Sequence, residues 1–450
     1  MISACSPLKT SSAALTPTAL KTEAVIPPTP TQVIPDINVD TSKLKGIQIF
    51  FMHPFSGDLA TLMDNLVNEF NQTNTWGIHV VDTAPGSAGS LYDTLTTEMQ
   101  NSIPPEIIVA PVDELMALNQ NSKTIADLTP YVNSPKWGLD QELIKDYLPA
   151  FWNQDDVAGF RYGIPAQRSA QVMIYNKTWA TQLGFANPPT TPEEFQAQVC
   201  AAHASLKLDN DPTNDGLGGW IIDTDAMTLA SWATSFGTPF ETAGELQFST
   251  PEMVQTLSYL RNLLDKGCAW NSKDISPYNY FANRETLIYS ADLQDLSQQQ
   301  TAQQLAGSKD EWMVIPYPTT SAPFILTEGS SYAILTNSPE KQLAAWLFIR
   351  WMSSLDNEGA VVKASTTLPL GENFINYSIE LEDSLPQWKQ AVDLLPDSQI
   401  TPLDANWSKA KMVLEDAAWQ LFKTGMTSDQ IPDLTNQIDQ TLAGLSGKTK

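Results

Sequence analysis

The chain has 450 residues, of which 42% are hydrophobic and 13 are tryptophan, enough to build two or more packed domains. Its 51 acidic residues outnumber its 25 Lys and Arg residues, giving a formal net charge of -26, and no run of basic residues offers a stripe for phosphates. This composition argues against a nucleic-acid partner, and because a negative surface repels anionic solutes, it favours a neutral ligand.

The first 42 residues differ in composition from the rest of the chain. Ile2-Ser3-Ala4-Cys5 resembles the end of a bacterial lipoprotein signal, in which the cysteine becomes the acylated N-terminus. We therefore expect Cys5 to carry lipid and most of any signal peptide to have been removed. The next segment, through about Asp40, is rich in Thr, Pro, Ser and Ala and is expected to be a tether. No stretch approaches the roughly 20 apolar residues that cross a bilayer.

Strands and helices alternate from Gly46 onward. In chain order the apolar spacing predicts a strand at 47–52, a helix at 59–70, a strand at 78–81, a helix at 91–99 and a strand at 107–109. This order favours right-handed crossovers and a largely parallel sheet.

Three later helices carry their own start signals. Thr191, Thr250 and Ser338 are each followed by Pro and then Glu, which is the pattern of an N-cap with Pro at the first helical position. Past the tether we find no internal repeat. The sequence therefore predicts an α/β chain with two lobes and not a solenoid.

Several phrases stand in a fixed order along the chain. The most specific are Tyr162-Gly163-Ile164-Pro165, then Met173-Ile174-Tyr175-Asn176-Lys177, then residues 188–195 with the pattern Pro-Pro-x-Thr-x-x-Glu-Phe. Together with weaker phrases from about Lys43 to the C-terminus, they resemble the family 1 extracellular solute-binding proteins of ABC importers, which include maltose-binding protein. The chain departs from that pattern at Glu106, where Asp is usual, and at Arg284, which replaces a common Gly.

The resemblance implies a type II periplasmic-binding-protein fold, α/β, with two lobes that are each a mostly parallel sheet flanked by helices. The expected limits are 1–42 for the tether, 43–158 plus 322–356 for lobe 1, and 159–321 plus 357–450 for lobe 2. It also implies a monomer, without catalytic activity or a cofactor, on the outer face of the cell membrane or in the periplasm. There it would capture a carbohydrate, expected to be a neutral oligosaccharide, and deliver it to an ABC permease.

Candidate ligand residues follow strands, because open α/β sheets bind ligands beyond the carboxyl ends of their strands. In chain order they are His53, Ser56, Asp58 and Asp113, and then Arg168 and Ser169 on the crossing into the second lobe. Asp58 and Asp113 have an equal alternative role as helix caps.

The resemblance adds four more candidates. Trp232, Tyr289 and Trp407 stand where the family supplies flat platforms for a sugar ring, and Gly329 stands where backbone approaches the ligand. Packing in a core is the alternative for the tryptophans, and a turn requirement is the alternative for Gly329.

Other chemistry is poorly supported by the sequence. If Cys5 is lipidated, Cys200 and Cys268 remain as an even pair that an oxidising compartment allows to close, with two buried free thiols as the alternative. Asp209, Asp211 and Asp215 give one loop the oxygen density of a calcium site, although its spacing departs from the EF-hand and a solvated turn also explains it. The three histidines are dispersed, which argues against catalytic zinc.

Different cargoes and a different class of protein stay open from the residues alone. A polyol phosphate or a peptide is the alternative cargo, and Arg168 keeps an anionic ligand in view. A secreted carbohydrate-active enzyme is the alternative class, because 51 acidic residues do not exclude a catalytic pair of carboxylates.

Overall fold

The computed structural model describes residues 37–83, 104–274 and 276–447. Cys5, most of the predicted tether and the helix predicted at 91–99 lie outside the described residues. Within the described ranges, no helix is both long and apolar enough to span a bilayer.

The strands form two large sheets and two short hairpins. In chain order they are β1 Gln48–Met52, β2 His79–Thr83, β3 Ile107–Pro111, β4 Asp156–Val157, β5 Phe160–Arg161, β6 Ile164–Pro165, β7 Ser169–Asn176, β8 Trp220–Ile221, β9 Glu241–Thr242, β10 Glu245–Leu246, β11 Ala269–Trp270, β12 Ile288–Asp292, β13 Trp312–Ile315, β14 Ile325–Glu328, β15 Ser330–Ile334 and β16 Ser398–Ile400.

Helices connect and cover these strands. In chain order they are α1 Gly57–Thr73, α2 Val112–Ser122, α3 Thr129–Val132, α4 Gln141–Asp146, α5 Pro149–Gln154, α6 Lys177–Gln182, α7 Pro192–Lys207, α8 Ala226–Ser235, α9 Pro251–Asp265, α10 Tyr278–Ala282, α11 Asp295–Leu305, α12 Pro339–Met352, α13 Leu355–Ser365, α14 Glu372–Asn376, α15 Ile379–Ser384, α16 Pro386–Val392, α17 Trp407–Leu421 and α18 Ile431–Leu445.

The first sheet has the order β2-β1-β3-β15-β6. β1 pairs parallel with β2 and β3, whereas β15 pairs antiparallel with β3 and β6. β15 is therefore the one strand of this sheet that runs against the others. Alternate residues of β3 enter different core clusters, Ile107 and Val109 on one face and Ile108 and Ala110 on the other, so both faces of the sheet are covered.

The second sheet has the order β11-β8-β12-β7-β14-β16, with β13 also paired to β7. β7 pairs antiparallel with β12, β13 and β14, while β8, β11 and β12 pair parallel, as do β14 and β16. Again a single strand, β7, is reversed. All eight residues of β7 are buried, as expected for the central strand of a sheet with two covered faces. The predicted fold class is confirmed.

The two reversed strands mark two of the places where the chain crosses between the sheets. The segment after β6 leads into β7 through Gln167 and Arg168, and Gly329 alone separates β14 from β15. Two elements lie beyond the predicted lobe limits, because β14 pairs within the second sheet and α13 packs on α1 of the first. The lobe boundaries stay a prediction.

The predicted helix starts agree with the structure. The hydroxyl oxygens of Thr191, Thr250 and Ser338 accept the backbone N–H groups of Glu194, Met253 and Lys341 at 3.2, 3.2 and 3.3 Å. Each bond satisfies a donor that the first helical turn leaves without a partner.

The two cysteines of the second lobe form a disulfide. Cys200 on α7 is bonded to Cys268, which directly precedes β11, and their Cα atoms are 4.4 Å apart. The bond joins residues that are 68 positions apart in the sequence and fixes α7 to an edge strand of the second sheet. Of the two alternatives that the sequence left open, a disulfide or two buried free thiols, the structure has the disulfide.

Candidate functional site

The carboxyl edges of the two sheets face each other at the crossings. In the first sheet, β1, β3 and β6 end at this edge and β15 begins there, with Ser330 opposite Pro111. In the second sheet, β12 and β14 end where β7 begins, with Glu328 opposite Ser169. Because the linkers between the sheets are so short, the two edges are adjacent, and the space between them is the position at which α/β folds bind ligands. We call this space the cleft.

Charged side chains from both lobes meet across the cleft. Asp113 is the second residue of α2 on the first lobe, and Lys411 lies on α17 of the second. The ammonium group of Lys411 is 3.0 Å from a carboxylate oxygen of Glu328, at the end of β14. Burial raises the pKa of Asp113, the positive charge of Lys411 lowers it in part, and Glu328 raises it further. These three groups therefore share one electrostatic environment.

A second set of carboxylates lines the same edge of the second sheet. Ser169 donates a hydrogen bond of 2.7 Å from its hydroxyl to Asp292 at the end of β12. The backbone N–H of Asp292 donates to Asp295 at 3.0 Å, and the Tyr278 hydroxyl also donates to Asp295 at 2.6 Å. Asp292 and Asp295 thus stand side by side with only uncharged donors on these oxygens.

The set continues beyond the end of β8. Asp223 accepts a short hydrogen bond from the Thr228 hydroxyl, and Thr228 in turn accepts from the Gln171 amide at 2.7 Å. Asp225 accepts the backbone N–H of Met227 at 2.7 Å and caps α8. Carboxylate, amide and hydroxyl groups are therefore interleaved along this wall of the cleft.

Burial dominates the electrostatics of these acids. It raises the pKa of Asp223 and of Asp292 to about 6 in each case, against an ordinary value of 3.8. Hydrogen bonds from Thr228 and Ser169 oppose the rise, whereas the neighbouring charges of Asp225 and Asp295 add to it. Both side chains are largely ionised at neutral pH and have lost part of their hydration.

Arg168 lies at the crossing and not in the cleft. Its guanidinium is completely buried and lies 3.1 Å from Asp155, which is buried to the same extent. It also donates to the carbonyl oxygen of Ser330 at 2.8 Å and to the Ser331 hydroxyl at 3.1 Å. Ser331 donates to Asp155 in turn. Arg168 therefore ties both crossings together and is not available to an anionic ligand.

Further polar groups are buried beside this pair. Neither carboxyl oxygen of Glu358 has a hydrogen-bond partner among the described residues, and the same holds for the hydroxyl of Tyr332. Burial raises the pKa of Glu358 well above its usual range, although the positive charge of Arg168 opposes the rise. The region around the crossings is thus polar as well as buried.

His53 directly follows β1 and is completely buried. Its Nδ1 accepts the backbone N–H of Phe55 at 3.2 Å, and its Nε2 is 3.0 Å from Asp82. The ring stacks on Phe55 with 5.0 Å between the ring centroids. In this structure His53 therefore shapes the turn after β1.

Ser56 and Asp58 lie together at the exposed start of α1. Ser56 is the N-cap residue, although its side chain makes no capping hydrogen bond, and Asp58 lies in the first turn. At Gly329, an added Cβ atom would stand 2.1 Å from the carbonyl oxygen of Gln167. The close approach that requires this glycine is therefore that of the two crossings and not of a ligand.

The three predicted aromatic platforms lie in the cores of the second lobe. Trp232 is completely buried and has its ring centroid 5.0 Å from that of Phe195. Trp407 is buried against Phe240, and the hydroxyl of the buried Tyr289 donates to Gln299 at 2.9 Å. None can stack on a ligand without leaving its core, so we do not include them in the site.

The candidate calcium loop uses its own oxygens. Asp209 accepts the backbone N–H of Asp211 at 2.6 Å and the Asn214 amide at 3.0 Å, and Asp211 accepts the Thr213 hydroxyl at 2.6 Å. Across the described ranges, no group of three or more His, Cys, Asp or Glu side chains is arranged to hold a metal ion. Hydrogen bonds within the loop occupy the carboxylates of Asp209 and Asp211, which fits the solvated turn that the sequence also allows.

Two surface grooves lie on the second lobe away from the cleft. Their volumes are about 500 and 490 Å³, and they share Pro188, Met313 and Gln390 in their walls. Neither includes any of the predicted ligand residues or the acids of the cleft. Their size alone does not make them the site.

Two sheets joined by adjacent crossings, with polar groups gathered at their carboxyl edges, define a two-lobed binding protein. A family model for bacterial extracellular solute-binding proteins matches residues 65–393. Since this match covers most of the chain, the protein belongs to the bacterial extracellular solute-binding proteins. Its family comprises substrate-binding proteins that act outside the cytoplasm.

Individual relatives are more distant. Putative binding proteins of Brucella abortus and Brucella suis are 23% identical to this chain over 296 residues, covering 63% of this chain and 68% of each relative. A cyclic α-maltosyl-1,6-maltose binding protein of Arthrobacter globiformis has a TM-score of 0.71 at 18% identity, covering 88% of this chain and 99% of that one.

Two further solved structures share the fold. The sugar-binding protein MalE of Xanthomonas citri has a TM-score of 0.73 at 19% identity, covering 89% of this chain and 98% of its own. UgpB of Mycobacterium tuberculosis, in complex with glycerophosphocholine, has a TM-score of 0.71 at 18% identity with the same coverage of 89% and 98%. At these identities the likeness establishes the fold.

Of the sequence candidates, Asp113 and Ser169 are brought to the cleft walls, and several acids there were missed. These are Asp223, Asp225, Asp292, Asp295 and Glu328, together with Lys411. The rule that polar residues follow strands was sufficient to find Asp223 and Asp292, because Asp223 lies two residues beyond β8 and Asp292 is the last residue of β12. Lys411 lies within a helix and gives no such signal.

Replacing Arg168 should destabilise the protein strongly. Arg168→Ala leaves Asp155 as a buried charge without its partner, and we expect a loss of about 3–5 kcal/mol in the free energy of unfolding measured in urea. Lys145→Ala is the control, since Lys145 pairs with Glu142 on the surface, and should change it by less than about 1 kcal/mol. Equal, small losses in both variants would show that the buried pair does not stabilise the crossings.

Removing the charge of Asp292 should stabilise the protein at neutral pH. Since its folded pKa of about 6 exceeds the ordinary 3.8, the folded state retains a proton that the unfolded chain has lost, and stability falls as pH rises between these values. Asp292→Asn does not titrate, so its unfolding free energy relative to the native protein should rise from pH 4.5 to pH 7.5, on the order of 1 kcal/mol. Asp64→Asn on the exposed surface of α1 is the control. If the unfolding free energy of Asp292→Asn differs from that of the native protein by the same amount at both pH values, the electrostatic account is contradicted.

Proposed function

We propose that the protein captures a carbohydrate in the cleft and delivers it unchanged to an ABC permease. One observation supports this proposal above the others. Hydrogen-bonding groups from both lobes lie at the carboxyl edges of the two sheets, and the crossings hold these edges together. Asp113 comes from the first lobe, whereas Ser169 and Asp292 come from the second. A ligand bound there contacts both lobes and favours their closure by a hinge motion.

The chemistry of the cleft suits a polyhydroxylated ligand. Carboxylates accept hydrogen bonds from neighbouring sugar hydroxyls, while hydroxyl and amide groups such as those of Ser169 and Gln171 both donate and accept. Proteins of the same fold have been crystallised with cycloalternan, maltotriose and mannotriose, which supports a sugar as the cargo. Because the predicted aromatic platforms are in the cores, recognition rests mainly on polar contacts.

Other cargoes fit the cleft less well. The UgpB structure shows that this fold also holds glycerophosphocholine. A phosphate here would lie against the carboxylates of Asp292 and Asp295, and Arg168 is committed to Asp155 at 3.1 Å. Like charges in a partly dehydrated site repel strongly, so we rank a sugar above a polyol phosphate.

The cellular arrangement follows from the same proposal. We propose that Cys5 carries lipid, that the Thr- and Pro-rich segment tethers the lobes to the membrane, and that the protein acts as a monomer that presents its closed form to the permease. Mass spectrometry of the N-terminal peptide tests the lipid. No catalytic role is assigned to the paired acids of the cleft.

A thermal-shift screen tests the cargo. The purified protein is melted with mono- and oligosaccharides, polyol phosphates and peptides, and a ligand at about 100 times its Kd should add about 2.7 kcal/mol of stability. We expect at least one sugar to raise the melting temperature and to be recovered unchanged by mass spectrometry. Asp113→Asn should reduce that shift, whereas the surface control Asp64→Asn should not.

Three results would contradict the proposal. If only peptides or polyol phosphates stabilise the protein, the cargo is not a carbohydrate. Consumption of the sugar would make the protein an enzyme. An unchanged shift in Asp113→Asn, with the variant folded, would place the sugar outside the cleft.

A further inference from the structure

Acidic side chains greatly outnumber basic ones along the walls of the cleft. Six carboxyl groups occur along them, and the charge of one basic side chain, Lys411, acts on Asp113 and Glu328. The six are Asp113, Asp223, Asp225, Asp292, Asp295 and Glu328. The six form one continuous set, because the charge of each one raises the pKa of a neighbour. Glu328 does so for Asp292, and Asp295 does so for Asp223 and Asp292. Asp225 does so for Asp223 and Asp295.

Hydrogen bonds do not neutralise this charge. The partners of Asp223, Asp292 and Asp295 are hydroxyl groups and backbone N–H groups, which carry no formal charge. Two of these acids have lost enough hydration for burial to raise the pKa to about 6. A neutral sugar would offer more hydroxyl groups of the kind already present, and the site would stay strongly negative.

One side chain points to a missing donor. Asp113 is only 4% exposed, and its Oδ2 atom has no hydrogen-bond partner among the described residues. A buried polar atom without a partner is costly in a folded protein. Since the charges of Lys411 and Glu328 both act on the Asp113 carboxyl group, this group belongs to the same acidic set and leaves a buried polar atom available to a ligand.

The positive partner that these acids would accept is not a metal ion. Within the described ranges, no arrangement of three or more acidic, His or Cys side chains could hold a metal. Residues 84–103, which lie outside the described ranges, contain neither Lys nor Arg. An organic ammonium group, which donates up to three hydrogen bonds and carries a positive charge, fits carboxylates that are spread along a wall.

We infer that the cargo is a carbohydrate bearing a basic amino group, such as an amino sugar, and that the acids of the cleft select it over the corresponding neutral sugar. This inference rests on the proposed function. It revises the neutral cargo that the sequence favours, because a net charge of -26 attracts a cation as well as repelling an anion. The ammonium group would pair with Asp292 and Asp295, or with Asp113 on the opposite wall.

Calorimetric titrations with matched sugars test the inference. Each set contains a neutral sugar, its amino derivative and its N-acetyl derivative: glucose, galactose, mannose and cellotriose with their 2-amino and 2-acetamido counterparts, at pH 7. We expect at least one amino sugar to bind with a Kd about tenfold or more below those of both neutral members of its set. Asp292→Asn and Asp113→Asn, each shown to be folded without ligand, should each reduce that preference severalfold, and Asp64→Asn should retain it.

The outcomes separate this inference from the proposed function. If neutral sugars bind as tightly as their amino derivatives in every set, the amino-sugar inference is wrong and the carbohydrate proposal stands. If no sugar of any kind binds, the carbohydrate proposal fails and the inference fails with it. A preference for amino sugars that neither Asp→Asn variant changes would remove these acids from the binding site and overturn the inference.

Discussion

The buried ion pair between Arg168 and Asp155 is the interaction on which the cleft depends. It lies where the chain passes between the two sheets, and through Ser330 and Ser331 it binds the second crossing as well as the first. Burying both charges is expensive unless geometry and hydrogen bonds compensate. Here the ion pair and its hydrogen bonds hold two crossings in contact, and Gly329 allows the backbone of one crossing to approach that of the other. The carboxyl edges of both sheets consequently face one space.

Several side chains in the cleft lower the stability of the folded protein. Asp223 and Asp292 would be better hydrated in the unfolded chain, and Asp113 carries a buried oxygen without a partner. Such groups persist when they serve a ligand, since preorganised but unsatisfied acceptors gain most from binding. The same acids explain why the cleft is a poor place for phosphate and why Arg168, buried elsewhere, does not change that. Stability and recognition are therefore opposed in the same residues.

Local patterns predicted much of the fold, but not the depth at which individual side chains lie. The strand that precedes His53 and the N-caps at Thr191, Thr250 and Ser338 depend on neighbouring residues and agree with the structure. Whether Trp232 faces a ligand or a core depends on helices distant in sequence, and here Phe195 and Tyr317 enclose it. Lys411 reaches Glu328 across 83 positions of sequence, so no local pattern reveals it.

The most direct test of this account is a crystal structure of the protein with the sugar that it binds. The account predicts electron density for the sugar between the carboxyl edges of the two sheets, with Asp113 on one side and Asp292 on the other. Density in the surface groove beside Pro188 and Met313, with the space between the edges unoccupied, would contradict it and would show that the crossings do not position the binding site.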